Sequence, residues 1–178
     1  MIHTRLIKQA SYLMSLAVLF AASAPAAESH EQLIFPKIRV HRQGTGVGIV
    51  VYRGSGDTIA GFQFDLHYDT ESLKVTPSLA PSATNAGKTL SFNVLEDGTL
   101  RVLVVGFNET LIGDGDVVVL SVEATESAKG RRQKFEDSEE NKLDVSDVIG
   151  ATPDALIVPM KGKDGSVQFK MHPQDRDQ

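Results

Sequence analysis

The sequence predicts an all-β domain, with two sheets packed face to face or one sheet closed into a barrel. Three observations carry this. Residues 60–75, AGFQFDLHYDTESLKV, alternate large apolar with polar side chains and then enter a turn. The other apolar runs are short, β-branched and separated by turn chemistry, and no long segment carries a helical period. Strand side chains alternate sides, so Phe62, Phe64, Leu66 and Tyr68 are assigned to a core and Gln63, Asp65 and His67 to the opposite face.

Residues 1–26 read as a secretory signal peptide. Arg5 and Lys8 precede an apolar run from Tyr12 to Ala22, and Ala24-Pro25-Ala26 supplies the small residues of a cleavage site. The run is too short to span a membrane comfortably. The expected location is therefore secreted, extracellular or periplasmic. Cleavage after Ala26 leaves 152 of the 178 residues, enough for one domain with its own core. Losing Arg5 and Lys8 takes the formal net charge from −5 to −7, which repels a phosphate backbone and argues against nucleic acid as a partner. The absence of cysteine rules out disulfides, thiolate metal sites, a cysteine nucleophile and a cysteine-linked lipid anchor.

After a leader over 27–34, strands are expected near 35–42, 46–53, 59–68, 72–76, 89–95, 99–106, 116–124, 142–149, 155–160 and 165–170, within a domain spanning 35–171. Glu96-Asp97-Gly98-Thr99 reads as a hairpin turn, Lys163-Asp164-Gly165 as another, and the cluster GTGVG at 44–48 as a turn. The charged segment 127–141 reads as a loop and the tail 172–178 as disordered.

No motif calls for catalysis. GTGVG lacks the following helix that a nucleotide site requires. The five histidines have no ligand-like spacing; His67 beside Asp65 offers a metal pair, but a solvated pair is the commoner outcome. Residues 136–147 place oxygen-bearing side chains in the relative positions of a calcium loop, yet Asn141 replaces the glycine of the sharp turn, and Gly150 and Pro153 spoil the helix that should follow. Gly113-Asp114-Gly115-Asp116 is explained as a turn. There is no G-x-S-x-G elbow and no Ser, His, Asp arrangement, so neither enzyme activity, cofactor nor metal is expected.

A binding face is expected instead. On the hairpin around Gly98, Leu90, Phe92, Val94, Leu100, Val102 and Val104 alternate with Ser91, Asn93, Arg101, Leu103 and Val105. If the first set is core, the second joins Gln63, Asp65 and His67 in an exposed patch with an apolar centre and a polar rim, a form suited to a protein partner. The alternative is that Leu103 and Val105 are covered by the charged loop or a neighbouring strand.

The stretch 60–75, together with AGKTLSFNVLEDGTLRVLVVGFNETLIGDGDVVVLSVEA at 86–124, resembles the cohesin family, and KLDVSDVIGATPDALIVPMKGKDGSVQF at 142–169 is similar to the closing strands of the same module. The resemblance implies a cohesin-like nine-stranded jelly-roll β-sandwich and a secreted, non-catalytic module that uses no metal of its own. It places KLDVSDV on a strand, away from any calcium loop. Its implied partner is a protein, dockerin-like or other, in an extracellular scaffold or polysaccharide-degrading assembly. Where dockerin-binding cohesins carry an outward Asn and Asp, this chain has Gly61 and Gln63. Because cohesins share their architecture with polysaccharide-binding modules, carbohydrate binding is the alternative. With no Trp in the chain, it would have to rely on Tyr52, Phe107 and Phe135.

Overall fold

The computed structural model describes residues 30–41, 44–54, 58–95, 98–126 and 141–170. The expected signal peptide, nearly all of the charged loop and the tail lie outside them. The elements in chain order are β1 (Gln32–Ile34), β2 (Lys37–His41), β3 (Thr45–Arg53), β4 (Gly61–His67), β5 (Leu73–Leu79), α1 (Pro81–Asn85), β6 (Thr89–Val94), β7 (Leu100–Val105), β8 (Gly115–Ala124), β9 (Asn141–Ala151), β10 (Ile157–Pro159), β11 (Lys161–Lys163) and β12 (Gly165–Lys170). They form a sandwich of two sheets. One runs β11-β1-β3-β8-β5; the other runs β2-β12-β9-β4-β7-β6, with β10 attached to β9. Nine of these strands have five residues or more, and β1, β10 and β11 have three each.

Alternation builds the core. Phe62, Phe64 and Leu66 of β4 and Leu100, Val102 and Val104 of β7 point inward to meet Val50 and Tyr52 of β3 and Val118, Leu120 and Val122 of β8. Phe64 lies edge-on to Phe35, ring centroids 5.0 Å apart, and roughly parallel to Phe62 at 6.4 Å. Each fully buried side chain of this size contributes about 1.5–3 kcal/mol of transfer free energy, which makes the β4 row a principal source of stability. Tyr68, just past β4, packs against the same core.

Two segments change sheets. β1, which falls inside the expected leader, pairs with β3 and with β11, so the sandwich begins at Gln32 and not at residue 35. Pro36 then interrupts the ladder, and β2 continues in the other sheet alongside β12. The return is similar: β11 runs parallel to β1, and after Asp164 the chain enters β12, parallel to β2. Lys163-Asp164-Gly165 is thus a crossing between sheets and not the expected hairpin. Asp164 fixes it by accepting a 2.9 Å hydrogen bond from the Val145 N–H.

GTGVG is likewise no turn beyond its first residue, because Gly46 and Gly48 are buried inside β3. A Cβ on Gly48 would lie 2.5 Å from Ile38 Cγ1 and from Pro36 Cγ, so these glycines let β2 pass close over β3. One short helix was not expected: α1 starts at Pro81 and is closed by Gly87 at φ +66°, the usual bracket of proline at the start and glycine past the end.

The hairpin of β6 and β7 forms, with Val94 opposite Leu100 and a closing hydrogen bond from Leu95 N–H to the Thr99 carbonyl. The expected core role of Phe92 and Val94 fails, however. β6 is the last strand of its sheet, Leu90 is half-buried, and Phe92 and Val94 are 48% and 53% exposed.

Candidate functional site

The outer face of β6-β7-β4-β9 gathers the residues assigned to binding into cross-strand rows. Ser91, Leu103, Gln63 and Ile149 stand opposite one another in turn, and Asn93, Arg101, Asp65 and Ser146 form the next row. Thr89 faces Val105, and His67 faces Asp144. Directly opposed residues on one face have Cβ atoms about 4.5–5.5 Å apart, so each row is a set of touching neighbours.

In the centre, Arg101 clamps Asp65 with both ends of its guanidinium. Nε donates to Oδ1 at 2.7 Å and Nη2 to Oδ2 at 2.6 Å. Asp65 was expected to be exposed, but it is buried at 4%, because β7 and β9 flank it and the Arg101 side chain is held to it. The planar fork matches the carboxylate geometry and satisfies the desolvated charge.

His67 is exposed, and both of its ring nitrogens are engaged, Nδ1 with Thr99 Oγ at 2.9 Å and Nε2 with Ser146 Oγ at 2.8 Å. A neutral ring donates at one of these and accepts at the other. With both Asp65 oxygens held by Arg101, the pair does not present a metal site. Among the described residues no group of three or more His, Asp or Glu is placed to hold an ion, and Asp144 and Asp147 lie on strand β9.

The apolar half of the face is larger than alternation indicated. Leu103 and Val105 are exposed at 36% and 41%. They are joined by Ile149, opposite Gln63, and by Ile157 and Pro159 of β10, opposite Ala151 and Ile149. Gly61, opposite Ala151, keeps the surface low between them; a Cβ there would lie 2.9 Å from the Val104 carbonyl oxygen.

The signal for Ile149 was masked by a bulge. Between the pairs Gln63–Ile149 and Asp65–Ser146, β9 holds one residue more than β4, and Asp147 takes φ +48°. The phase inverts there: Leu143 and Val145 point inward before it, while Ile149 points outward after it.

Among the described residues, the aromatic groups named for sugar stacking do not come together as a platform. Tyr52 is buried, its hydroxyl donating to the Glu31 carboxylate, and cannot stack on a ligand. Phe107 is fully exposed just beyond β7, and Phe135 lies outside the described residues.

Comparison with known proteins agrees with this architecture. The cohesin domain profile matches residues 45–152. Curated protein sequences give no match. Among solved structures, a type I cohesin of Clostridium thermocellum, OlpC, determined in complex with a dockerin, superposes with a TM-score of 0.66 at 16% identity, over 84% of this chain and 99% of that chain. A non-cellulosomal cohesin from the archaeon Archaeoglobus fulgidus gives 0.63 at 13% identity, over 83% and 96%. The cohesin module of a family 33 glycoside hydrolase from Clostridium perfringens gives 0.60 at 14% identity, over 81% and 99%. Since the profile match runs from β3 through β9 and includes β4, β6 and β7, the chain belongs to the cohesin domain family.

Proposed function

We propose that the chain is an exported, non-catalytic protein-binding module whose partner, dockerin-like or another protein, docks on the outer face of β6-β7-β4-β9. The observation that carries this reading is the make-up of that face. An apolar strip of Leu103, Val105, Ile149 and Ile157 borders a rigid polar cluster of Asp65, Arg101, His67 and Ser146. An apolar centre supplies affinity by desolvation, and fixed polar groups beside it supply orientation. Family membership supports the same class, since the C. thermocellum relative was solved with a dockerin bound.

Gly61 and Gln63 stand where the dockerin-binding pattern has Asn and Asp. The proposed partner is therefore read by the apolar strip and by Arg101, without that polar pair. In this role Ser91 and Asn93 form the rim, and Gln63, between Leu103 and Ile149, adds a polar contact within the strip. No metal or cofactor takes part. Arg5, Lys8, the run 12–22 and Ala24-Pro25-Ala26 support export, and the setting proposed for the exported module is an extracellular or periplasmic scaffold or polysaccharide-degrading assembly.

The test is affinity capture from the exported proteins of the native cell, followed by titration of the captured partner. Leu103→Asp should weaken binding by more than about 2 kcal/mol, because it removes an apolar anchor and buries a charge. Its melting temperature should stay near that of the wild type. Normal binding by Leu103→Asp would move the site off this face. N-terminal sequencing of exported protein should begin at or within a few residues of Ala27; an intact Met1 would remove the export half of the proposal.

A further inference from the structure

We propose that β6 is a self-association edge, through which two copies of this chain pair antiparallel about a two-fold axis and join their β2-β12-β9-β4-β7-β6 sheets into one. A strand at a sheet edge presents unpaired N–H and C=O groups, and proteins usually blunt such edges with charge, proline or brevity. Among the described strands every other edge is blunted. β2 carries Lys37 and Arg39, β5 carries Lys74 and Pro77, β11 is Lys161-Gly162-Lys163, and β10 has three residues ending in Pro159. β6, Thr89-Leu90-Ser91-Phe92-Asn93-Val94, has no charge and no proline, and among the described residues it pairs with β7 alone. Its Phe92 and Val94 overhang the sandwich at about half exposure although they point toward the core side.

The strand is also complementary to itself. When two copies run antiparallel with the axis at Phe92, Phe92 meets Phe92, and Leu90 meets Val94 in both directions on one face. On the other face Ser91 meets Asn93, a hydroxyl opposite an amide. Over residues 90–94 apolar positions meet only apolar ones and polar only polar, with Thr89 opposite Leu95 at the margin, and no like charges come together in the contact. An antiparallel pairing of identical strands is an isologous contact, which closes as a dimer and leaves neither copy with an open β6 edge. The two partner-binding faces then lie side by side on one surface.

The absence of cysteine allows a direct test of register on protein purified from cells expressing the full chain. Sedimentation equilibrium should give a mass that rises toward the dimer with concentration. Phe92→Lys should stay monomeric over the same range with an unchanged melting temperature, while Leu103→Asp should dimerise normally, which separates this edge from the partner face. Under mild oxidation, Phe92→Cys should cross-link to itself. Ser91→Cys and Asn93→Cys should each cross-link poorly alone and readily when mixed, because opposed strand positions bring Cβ atoms within disulfide reach. A wild type that is monomeric at every concentration overturns the proposal, as does a dimer that survives Phe92→Lys. Self-cross-linking at residue 91 in preference to 92 also overturns it, and so does a monomer that binds only an added extended peptide, since the edge would then serve a different occupant.

Discussion

Arg101 and Asp65 lock together across the β4–β7 ladder, with guanidinium and carboxylate joined by two hydrogen bonds of 2.7 and 2.6 Å in the middle of an otherwise open sheet face. The two ends differ in solvation: the Asp65 side chain is 5% exposed and that of Arg101 43%. Removing one end is therefore not equivalent to removing the other. Arg101→Ala strands a buried carboxylate and should cost about 1–3 kcal/mol, toward the low end because solvent screens the outer half of the pair. Asp65→Ala leaves a guanidinium that water can reach and should cost less. Urea unfolding of both single variants and the double variant should show the double losing less than the sum of the singles.

Phe64→Ala should lower stability by about 3–5 kcal/mol, the range for a large aromatic truncated in a packed core. Phe64 has no exposed surface and touches Phe35 and Phe62. Denaturant midpoints read the loss directly, and a change below about 1 kcal/mol would contradict the packing described, being the size of a surface effect.

Gly48→Ala should destabilise by about 1–3 kcal/mol, as overpacking does in a full core. The added methyl would lie 2.5 Å from Ile38 Cγ1, and Ile38 is itself buried. The same substitution at Gly113, where an added Cβ meets nothing within 4 Å, is the control and should be nearly silent in thermal unfolding.

Burial lifts the Tyr68 phenol above its ordinary 10.0, opposed in part by a backbone hydrogen bond with Val75. A raised folded-state pKa means that this contribution is complete below the unfolded value and is lost as pH rises above 10. Stability should therefore decline above pH 10 with a component that Tyr68→Phe removes. Unfolding free energies of the two proteins measured on both sides of that pH should diverge only on the alkaline side.

The sequence carried the positions of the strands better than their surroundings. Phe62, Phe64 and Leu66 declared their side because β4 is central, with β7 and β9 on its flanks and the other sheet beneath it. Phe92 and Val94 show the same alternation, yet they are exposed, because cover depends on where a strand ends up in its sheet and not on its own pattern. Asp65 read as a solvated residue because its partner lies 36 positions away in the chain. Ile149 was hidden by the phase inversion at Asp147, and β1 by its three-residue length. The helix α1, by contrast, is bracketed in the sequence by Pro81 and Gly87, but its five residues give no period to read.

The crossings of β1–β2 and β11–β12 between sheets also bear on the order in which the described strands can be completed. Among the described residues, β2 has β12 as its sole ladder partner, a strand more than 120 residues later in the chain. During synthesis, β3 through β9 can pair among themselves as they emerge. β2 must wait, half-solvated, until residues 165–170 are made. With β3 to β9 already paired, β2 is tethered beside β3 and β12 docks on β9, so the closing step joins two strands already held near each other and β12 acts as a latch. A chain truncated before Lys161 would hold the partner-binding strands in a sandwich still open along β2, prone to capture by other unfinished chains.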